Sequence, residues 1–335
     1  MASPLVTAVD WGDVVTTTLE NRSKSLADNI TNNNALLANL RKKGKEKTAD
    51  GGREIMQELR YAMNQTFMWY SGYEPVNISL NDTMTAARFP WKQASIAVTI
   101  SGFEELVNSG DEAMLNLIEE RTETAEDTFW NQMSAGVYSD GTAFGGKQIN
   151  GLAALISKSP TSGLVGGIDR AAQTWWQNIS VNANTDSRGV ITASNIESYM
   201  NSTTVSLKRN SDGIDMIVAD NNLYIFYLSS LQAIQRIDSR DGDTEAGAGF
   251  TSLKYYGAGK RVDVVLDGGK NGQIPSNTMY FINSDYLFYR PHARRNFRVI
   301  GGERSNVNQD AKVRILAWMG NMTANNLSLQ GVLWM

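Results

Sequence analysis

Residues 111–137 read DEAMLNLIEERTETAEDTFWNQMSAGV. Met114, Leu117, Ile118, Ala125, Phe129 and Met133 recur at helical spacing, while Glu119, Glu120, Arg121 and Glu123 fall among exposed positions. The pattern predicts one amphipathic helix over the whole stretch. At about 1.5 Å per residue it runs roughly 40 Å, longer than an ordinary globular helix.

The segment before this helix has strand character. After the break Thr48-Ala-Asp-Gly-Gly52, Leu59, Tyr61 and Met63 alternate, followed by Phe67 and Trp69. A polar middle, Asn77 to Thr85, leads to Ile96, Val98 and Ile100, which alternate again. Two long strands joined by a wide loop are expected. Such an excursion is poorly stable in isolation and calls for a partner surface. Further upstream, Val15, Leu19, Leu26, Ile30, Leu37 and Leu40 share one stripe, which predicts a polar helix over about Gly12 to Arg41. Arg41, Lys42 and Lys43 suit its C-terminus and Gly44 suits the stop. A helix so polar takes its stability from packing, either on its own body or on a neighbour.

Downstream, Tyr138–Gly146 and Pro160–Gly167 read as loops around a short apolar element, Ile149–Ile156, and Trp175-Trp176 fall in an expected helix over Arg170–Asn178. The grammar then changes. A helix over Ala193–Lys208, a strand apolar on both faces over Ile214–Ala219, a helix over Leu223–Ile237 and strands over Ser252–Tyr256, Arg261–Leu266 and Met279–Tyr286 suggest a compact α/β unit. A basic stretch, Tyr289–Arg304, precedes an expected closing hairpin. Val313, Ile315 and Ala317 lie on one side of a turn at Gly320-Asn321, and Leu327, Leu329 and Leu333 lie beyond it.

Composition narrows the chemistry. The 335 residues could fill about two domains. With 31 Lys and Arg against 35 Asp and Glu, the net charge is −4, which is not that of a basic nucleic-acid binder. There is no Cys and a single His, His292. A disulfide framework, a Cys/His zinc site, a thiol nucleophile and a Cys-ligated cluster are therefore excluded. No segment has the length and apolarity of a membrane span, and the N-terminus lacks a signal-peptide pattern, so a soluble chain made in a cytoplasm is expected.

The remaining motifs favour structural readings. Gly257-Ala-Gly259-Lys260 lacks the spacing of a phosphate loop and reads as a turn between strands. Asp238, Asp241, Asp243 and Glu245 lack calcium-loop spacing and read as a solvated or inter-subunit acidic loop. His292 has no nucleophile elbow beside it and reads as a structural histidine. Glu119, Glu120 and Glu123 read as a solvated face. Two basic clusters, Lys42, Lys43, Lys45 and Lys47, and Arg290, Arg294, Arg295, Arg298 and Arg304, could meet phosphate or acidic surfaces of neighbours. No catalytic residue, cofactor or metal is assigned. This points to a structural or binding role.

Several runs resemble a tailed-bacteriophage major capsid protein of the Hong Kong 97-type fold. They are Phe67-Met-Trp-Tyr-Ser-Gly-Tyr-Glu74, Ala87-Arg-Phe-Pro-Trp-Lys-Gln93, Ile100-Ser-Gly-Phe-Glu-Glu105 with Asn108-Ser-Gly110, Gln148-Ile-Asn-Gly-Leu152, Gly166-Gly-Ile-Asp-Arg170 with Trp175-Trp176, and Val313 to Asn321. The order of elements carries the resemblance over nearly the whole chain. It implies an α+β fold with an N-terminal arm (1–47), an extended β-hairpin loop (48–99), a peripheral domain (100–192) with the spine helix 111–137, an axial α/β domain (193–289) and completion of the peripheral domain by a C-terminal hairpin (290–335). It implies a non-enzymatic coat protein that assembles with itself as hexamers and pentamers into an icosahedral shell around double-stranded DNA, in the virion, after assembly in the host bacterial cytoplasm. A portal protein, a separate scaffolding protein, a decoration protein and non-specifically packaged DNA are the implied partners, with no membrane. The arm begins close to Met1, so no long cleaved scaffolding region is expected within it. The loop holds one Lys, Lys92, and a Lys–Asn cross-link is not carried over.

On this reading the inter-subunit contact candidates are Leu19, Leu26, Ile30, Leu37, Phe67, Trp69, Tyr73, Phe89 and Trp91, and Arg290, Arg294, Arg295 and Arg298 form a DNA-facing or inter-subunit patch. The alternatives are an encapsulin-like nanocompartment around protein cargo, which shares the fold, and a carboxylate-based hydrolase, against which the dispersed acids and lone His argue.

Overall fold

A computed structural model describes residues 34–107, 111–233, 252–267, 273–306 and 309–335. The description begins at Asn34, whose backbone is extended and whose side-chain oxygen accepts the Leu36 and Leu37 N–H groups, each at 3.1 Å. This caps helix α1 (Ala35–Lys42). The cap ends the expected Gly12–Arg41 helix on its N-terminal side, and residues 12–33 lie outside the described ones. At the other end Gly44 N–H bonds Arg41 C=O and Lys45 N–H bonds Leu40 C=O, with Gly44 at φ +65°, a left-handed stop that needs glycine. Ala35, Leu36, Leu37 and Leu40 are buried. Leu37 therefore belongs to the subunit's own core, which corrects its assignment to an inter-subunit contact: the cap turns this helix's apolar face inward.

Residues 45–49 then run parallel to 289–293, with bonds from Lys47 N–H to Tyr289 C=O and from Ala49 N–H to Pro291 C=O, each at 3.0 Å. Strands β1 (Glu54–Arg60) and β2 (Met84–Pro90) form an antiparallel hairpin from Glu54↔Pro90 to Arg60↔Met84. The expected strands were offset from these. Tyr61 leaves the ladder to stack on Trp175 at 5.2 Å. Ile96, Val98 and Ile100 belong to β3 (Lys92–Ser101), which pairs elsewhere. Helix α2 (Gly102–Val107) leads to α3 (Asp111–Tyr138), the long helix read from the sequence. On α3, Thr122, Ala125, Phe129, Met133 and Val137 are buried, and Glu120, Glu123 and Asp127 are exposed on the far side.

Short elements follow: α4 (Leu152–Leu155), the two-residue strands β4 (Leu164–Val165) and β5 (Ile168–Asp169), a 3-10 turn at Thr174–Trp176 and β6 (Ile179–Asn182). Arg170 is buried against α4, donating to the carbonyls of Ala154 and Leu155 at its C-terminal end. Burial pushes its guanidinium down to about 10.

Helix α5 (Ile196–Ser206), β7 (Met216–Ala219), α6 (Asn221–Ala233), β8 (Ser252–Gly257), β9 (Lys260–Leu266) and β10 (Thr278–Ile282) supply the α/β unit. β8 and β9 join through Ala258-Gly259, both at positive φ, which is the tight turn expected for that motif. All four residues of β7 are buried because its two faces meet different cores. Ile217 and Ala219 pack with Tyr199, Leu223 and Tyr227 of α5 and α6. Met216 and Val218 share a second core with Leu36, Tyr138 and Leu287.

The C-terminal part is β11 (Leu287–Pro291), β12 (Arg298–Asn306), β13 (Gln309–Ala324) and β14 (Gly331–Trp334). The expected hairpin at Gly320-Asn321 is absent. β13 runs straight through that dipeptide, pairing with β3, β12 and β11 in one antiparallel sheet. A Cβ at Gly320 would lie 2.6 Å from Arg290 C=O and 2.7 Å from the Trp318 ring, so this glycine serves close approach rather than a turn. Asn321 ties two loops to the sheet, accepting Asn150 N–H at 3.0 Å and donating to Pro90 C=O at 2.8 Å. β14 lies between β6 and β10 in a six-stranded sheet ordered β6-β14-β10-β7-β9-β8. Strands from either side of the expected 193–289 unit thus complete its sheet.

Candidate assembly interface

The hairpin base is fixed to the body. Ile55, Leu59, Ala87 and Phe89 are buried in the core shared with α1 and α3, and Arg88 N–H donates to Gly166 C=O at 2.8 Å. Phe89 is 0% exposed, so its assignment as an inter-subunit contact is corrected to a core role. The alternation Ala87, Phe89 against Arg88 puts the aromatic on the inward face of β2. Trp91 is half-buried, donates to Gly52 C=O at 2.9 Å and packs against the His292 ring.

Beyond the ladder the chain changes character. Residues 62–65 and 67–80 are exposed throughout. Phe67 is 75% and Trp69 89% exposed, and Tyr73, Ile78 and Leu80 have almost no cover. Phe67 and Trp69 meet edge to face at 5.5 Å, touching each other rather than the body. Hydrogen bonds here are local, such as Ser71 N–H to Glu74 Oε2 and Asn81 Nδ2 to Asn64 Oδ1, both at 3.1 Å. Leu19, Leu26 and Ile30 lie outside the described residues.

The strand-like pairing of 45–49 with 289–293 brings the two basic clusters of the sequence together. The cationic groups of Lys45, Lys47 and Arg290 lie 5.7, 5.2 and 5.5 Å from the centroid of one ring, Phe288. Lys43 pairs with Asp215 and Lys45 with Asp285, so part of this charge is met inside the chain. Arg290 donates to the neutral Gln57 at 2.9 Å, and its burial lowers the pKa of the guanidinium. Arg295 reaches Gln93 at 3.4 Å, whereas Arg294 and Arg298 are exposed. His292 is structural: its backbone N–H bonds Met319 C=O at 2.8 Å and its Nδ1 accepts Arg294 N–H at 3.0 Å.

The N-cap of α1 joins a buried polar junction that no sequence motif marks. The Asp267 carboxylate, at the end of β9, accepts the Tyr138 hydroxyl and faces Asn34 Nδ2 at 3.5 Å. Burial raises the Asp267 pKa, with the Tyr138 hydrogen bond opposing. A buried acid of raised pKa binds its proton in the folded chain where the unfolded chain has already lost it. Stability from this group is therefore greatest below the ordinary carboxylate range and falls as pH climbs to the folded pKa. The melting temperature of Asp267→Asn is expected to fall less than that of the parent as pH rises above the ordinary carboxylate range. Parallel curves for the two chains would remove Asp267 as the cause.

Among the described residues, no group of three or more acidic or histidine side chains is placed to hold a metal ion. A polar cleft between β6 and α5 is lined by an ion pair of its own. Arg188 grips Asp186 through two nitrogens at 2.8 and 2.9 Å, donates to Ser202 Oγ and stacks on Tyr199. The same contact holds the Asp186 carboxyl down at about 2. Glu120 and Glu123 lie on the solvated face of α3, and the acidic residues at 238–245 lie outside the described ones. No described helix is long and apolar enough to cross a membrane.

No protein-family model matches the sequence, and no curated protein matches it significantly. Solved structures do match. A subunit of the cyanophage A-1(L) capsid aligns over 87% of this chain and 90% of its own at 14% identity, with a TM-score of 0.59. The capsid of an empty GTA particle aligns over 88% and 95% at 10% identity with a TM-score of 0.52. That of Myoviridae phage XM1 aligns over 87% and 90% at 9% identity with a TM-score of 0.51. With its long helix, its hairpin and its mixed sheets, the chain has the fold of the phage major capsid subunit, the Hong Kong 97-type α+β fold.

Proposed function

We propose that this chain is a structural, non-catalytic shell subunit, the major capsid protein of a tailed bacteriophage, assembling as hexamers and pentamers into an icosahedral shell around double-stranded DNA. The observation that carries the proposal is the excursion 61–83. It holds Phe67, Trp69, Tyr73, Ile78 and Leu80 away from any core while its base is fixed by buried residues. Covering one such side chain gives about 1.5–3 kcal/mol, and a neighbouring copy is the surface that closed symmetry supplies. Repeated around a shell, modest contacts become a stable whole. In this reading the particle works with a portal protein and a separate scaffolding protein, admits a decoration protein, holds DNA non-specifically and forms in the host bacterial cytoplasm.

Expression of the chain alone, followed by negative-stain electron microscopy, tests the reading. Closed shells, tubes or capsomer rings are expected, directly or on co-expression with a scaffolding protein. Shells that close without a portal and enclose a protein cargo would indicate a nanocompartment instead. A monomer that stays compact under every condition, with the excursion folded back, would refute the assembly role.

A further inference from the structure

Two surfaces of opposite charge lie on this subunit, one with Lys47 exposed beside the partly buried Lys45 and Arg290 and one with three exposed acids. The first is the cluster over Phe288. Because Lys45, Lys47 and Arg290 all sit within 5.7 Å of one ring centroid, no two of these cations are more than about 11 Å apart. Asp285 meets Lys45 from a largely exposed position, Arg290 has the neutral Gln57, and Lys47 has no carboxylate among the described residues. Crowding three cations around one ring leaves a field that favours an acidic partner. The second surface is on α3. Glu120, Glu123 and Asp127 follow at steps of three and four residues and are exposed opposite the buried stripe. Along a helix axis they span about 10 Å. Glu120 and Asp127 form no ion pair among the described residues.

We propose that the Lys45–Lys47–Arg290 cluster of one copy docks on the Glu120–Glu123–Asp127 stripe of a neighbouring copy. The proposal rests on the shell-forming reading above and names a contact within it. Three acids along one helix span about 10 Å, and the three cations lie within about 11 Å of one another, so the two patches are of comparable extent. The chain as a whole is acidic, and this stripe sets three of its carboxylates along one exposed helix face. Rim charges of this kind set register and rate of association more than raw affinity. The contact therefore specifies how copies meet, while the apolar excursion holds them together.

The test is a charge swap on two exposed positions, Lys47 and Asp127. Particle formation is followed by light scattering and sedimentation across protein concentrations, with a thermal melt of each variant as the folding control. Lys47→Glu and Asp127→Lys are each expected to raise the concentration needed for assembly about tenfold, and the double variant to return it to within about twofold of the parent. Salt is expected to weaken parental assembly in the same direction. If a reversal lowers the melting point, Lys47→Gln and Asp127→Asn replace it and are expected to act in the same sense but less strongly. Single variants that assemble like the parent overturn the proposal, as does a double variant no better than the singles. Normal particles from Lys47→Glu that hold less duplex DNA would assign the cluster to phosphates and likewise overturn it. Failure of the parent chain to assemble, seen before any substitution, sinks the shell reading instead.

Discussion

A chain lacking residues 2–40 is expected to lose its fold, and a chain lacking only residues 2–33 to keep it. The difference is helix α1. Leu36, Leu37 and Leu40 are at most 1% exposed and pack in the core that also holds Phe129 and Met133 of the spine helix and Tyr289 of β11. Truncating one such leucine costs about 2–5 kcal/mol, and losing the Asn34 cap costs about 1 more. Three leucines and a cap together approach about 10 kcal/mol, within the 5–15 kcal/mol that holds a typical domain folded. The shorter deletion stops before the cap and removes no described side chain. Circular dichroism melts of the two truncations check this: a cooperative transition close to that of the full chain is expected for the shorter deletion and none for the longer. On the shell reading, the 2–33 deletion is also expected to assemble poorly, because Leu19, Leu26 and Ile30 go with it. Shells at full yield from that chain would remove the arm from the assembly. A normal melt from the longer deletion would make α1 a satellite of the core rather than part of it.

What the sequence revealed and what it hid follow from which forces are local. The spine helix was legible almost to the residue, since its period persists for seven turns and its boundary at Tyr138 lies one position from the expected Val137. β7 was legible as apolar on both faces, and the two cores that receive those faces explain why. β13 was hidden. Gly320-Asn321 is a turn signal by composition, and only the approach of Arg290 and Trp318 to Gly320 shows that the chain needs a missing side chain there. The apolar stripe from Val15 to Leu40 runs across Asn34, so the helix was drawn through its own N-cap.

The interface was only half legible for the same reason. A polar stretch carrying aromatics is visible in sequence, but which aromatic faces inward depends on strand register. The pairing of β1 with β2 could not be seen while the strands were drawn from Leu59 to Trp69. Nor could the junction of the two basic clusters be seen, because Lys47 and Arg290 are brought together by a parallel pairing of segments more than 200 residues apart.

Phe89→Ala and Trp69→Ala are expected to act in opposite places, and the contrast separates core from interface within one hairpin. Phe89 is fully buried among Ile55, Leu59 and the residues around Gly166, so its truncation leaves a cavity and is expected to cost about 3–5 kcal/mol of subunit stability. Trp69 is 89% exposed and touches Phe67, so its truncation is expected to change subunit stability by about 0.5 kcal/mol or less. Assembly reverses the order of causes. Phe89→Ala is expected to lower particle yield only as far as it lowers the folded fraction, so yield and melting temperature fall together. Trp69→Ala is expected to lower yield at an unchanged melting temperature, because large aromatics at the centre of an interface carry a disproportionate share of its energy. Chemical denaturation gives the first quantity and sedimentation of assembled particles the second. A Trp69→Ala chain with parental yield and parental stability would leave that side chain without a role in assembly, and the weight of the contact would pass to Tyr73, Ile78 and Leu80. A Trp69→Ala chain that lost several kcal/mol of stability would mean that the excursion packs on its own subunit. The subunit would then carry no uncovered apolar tip to bring a neighbour in.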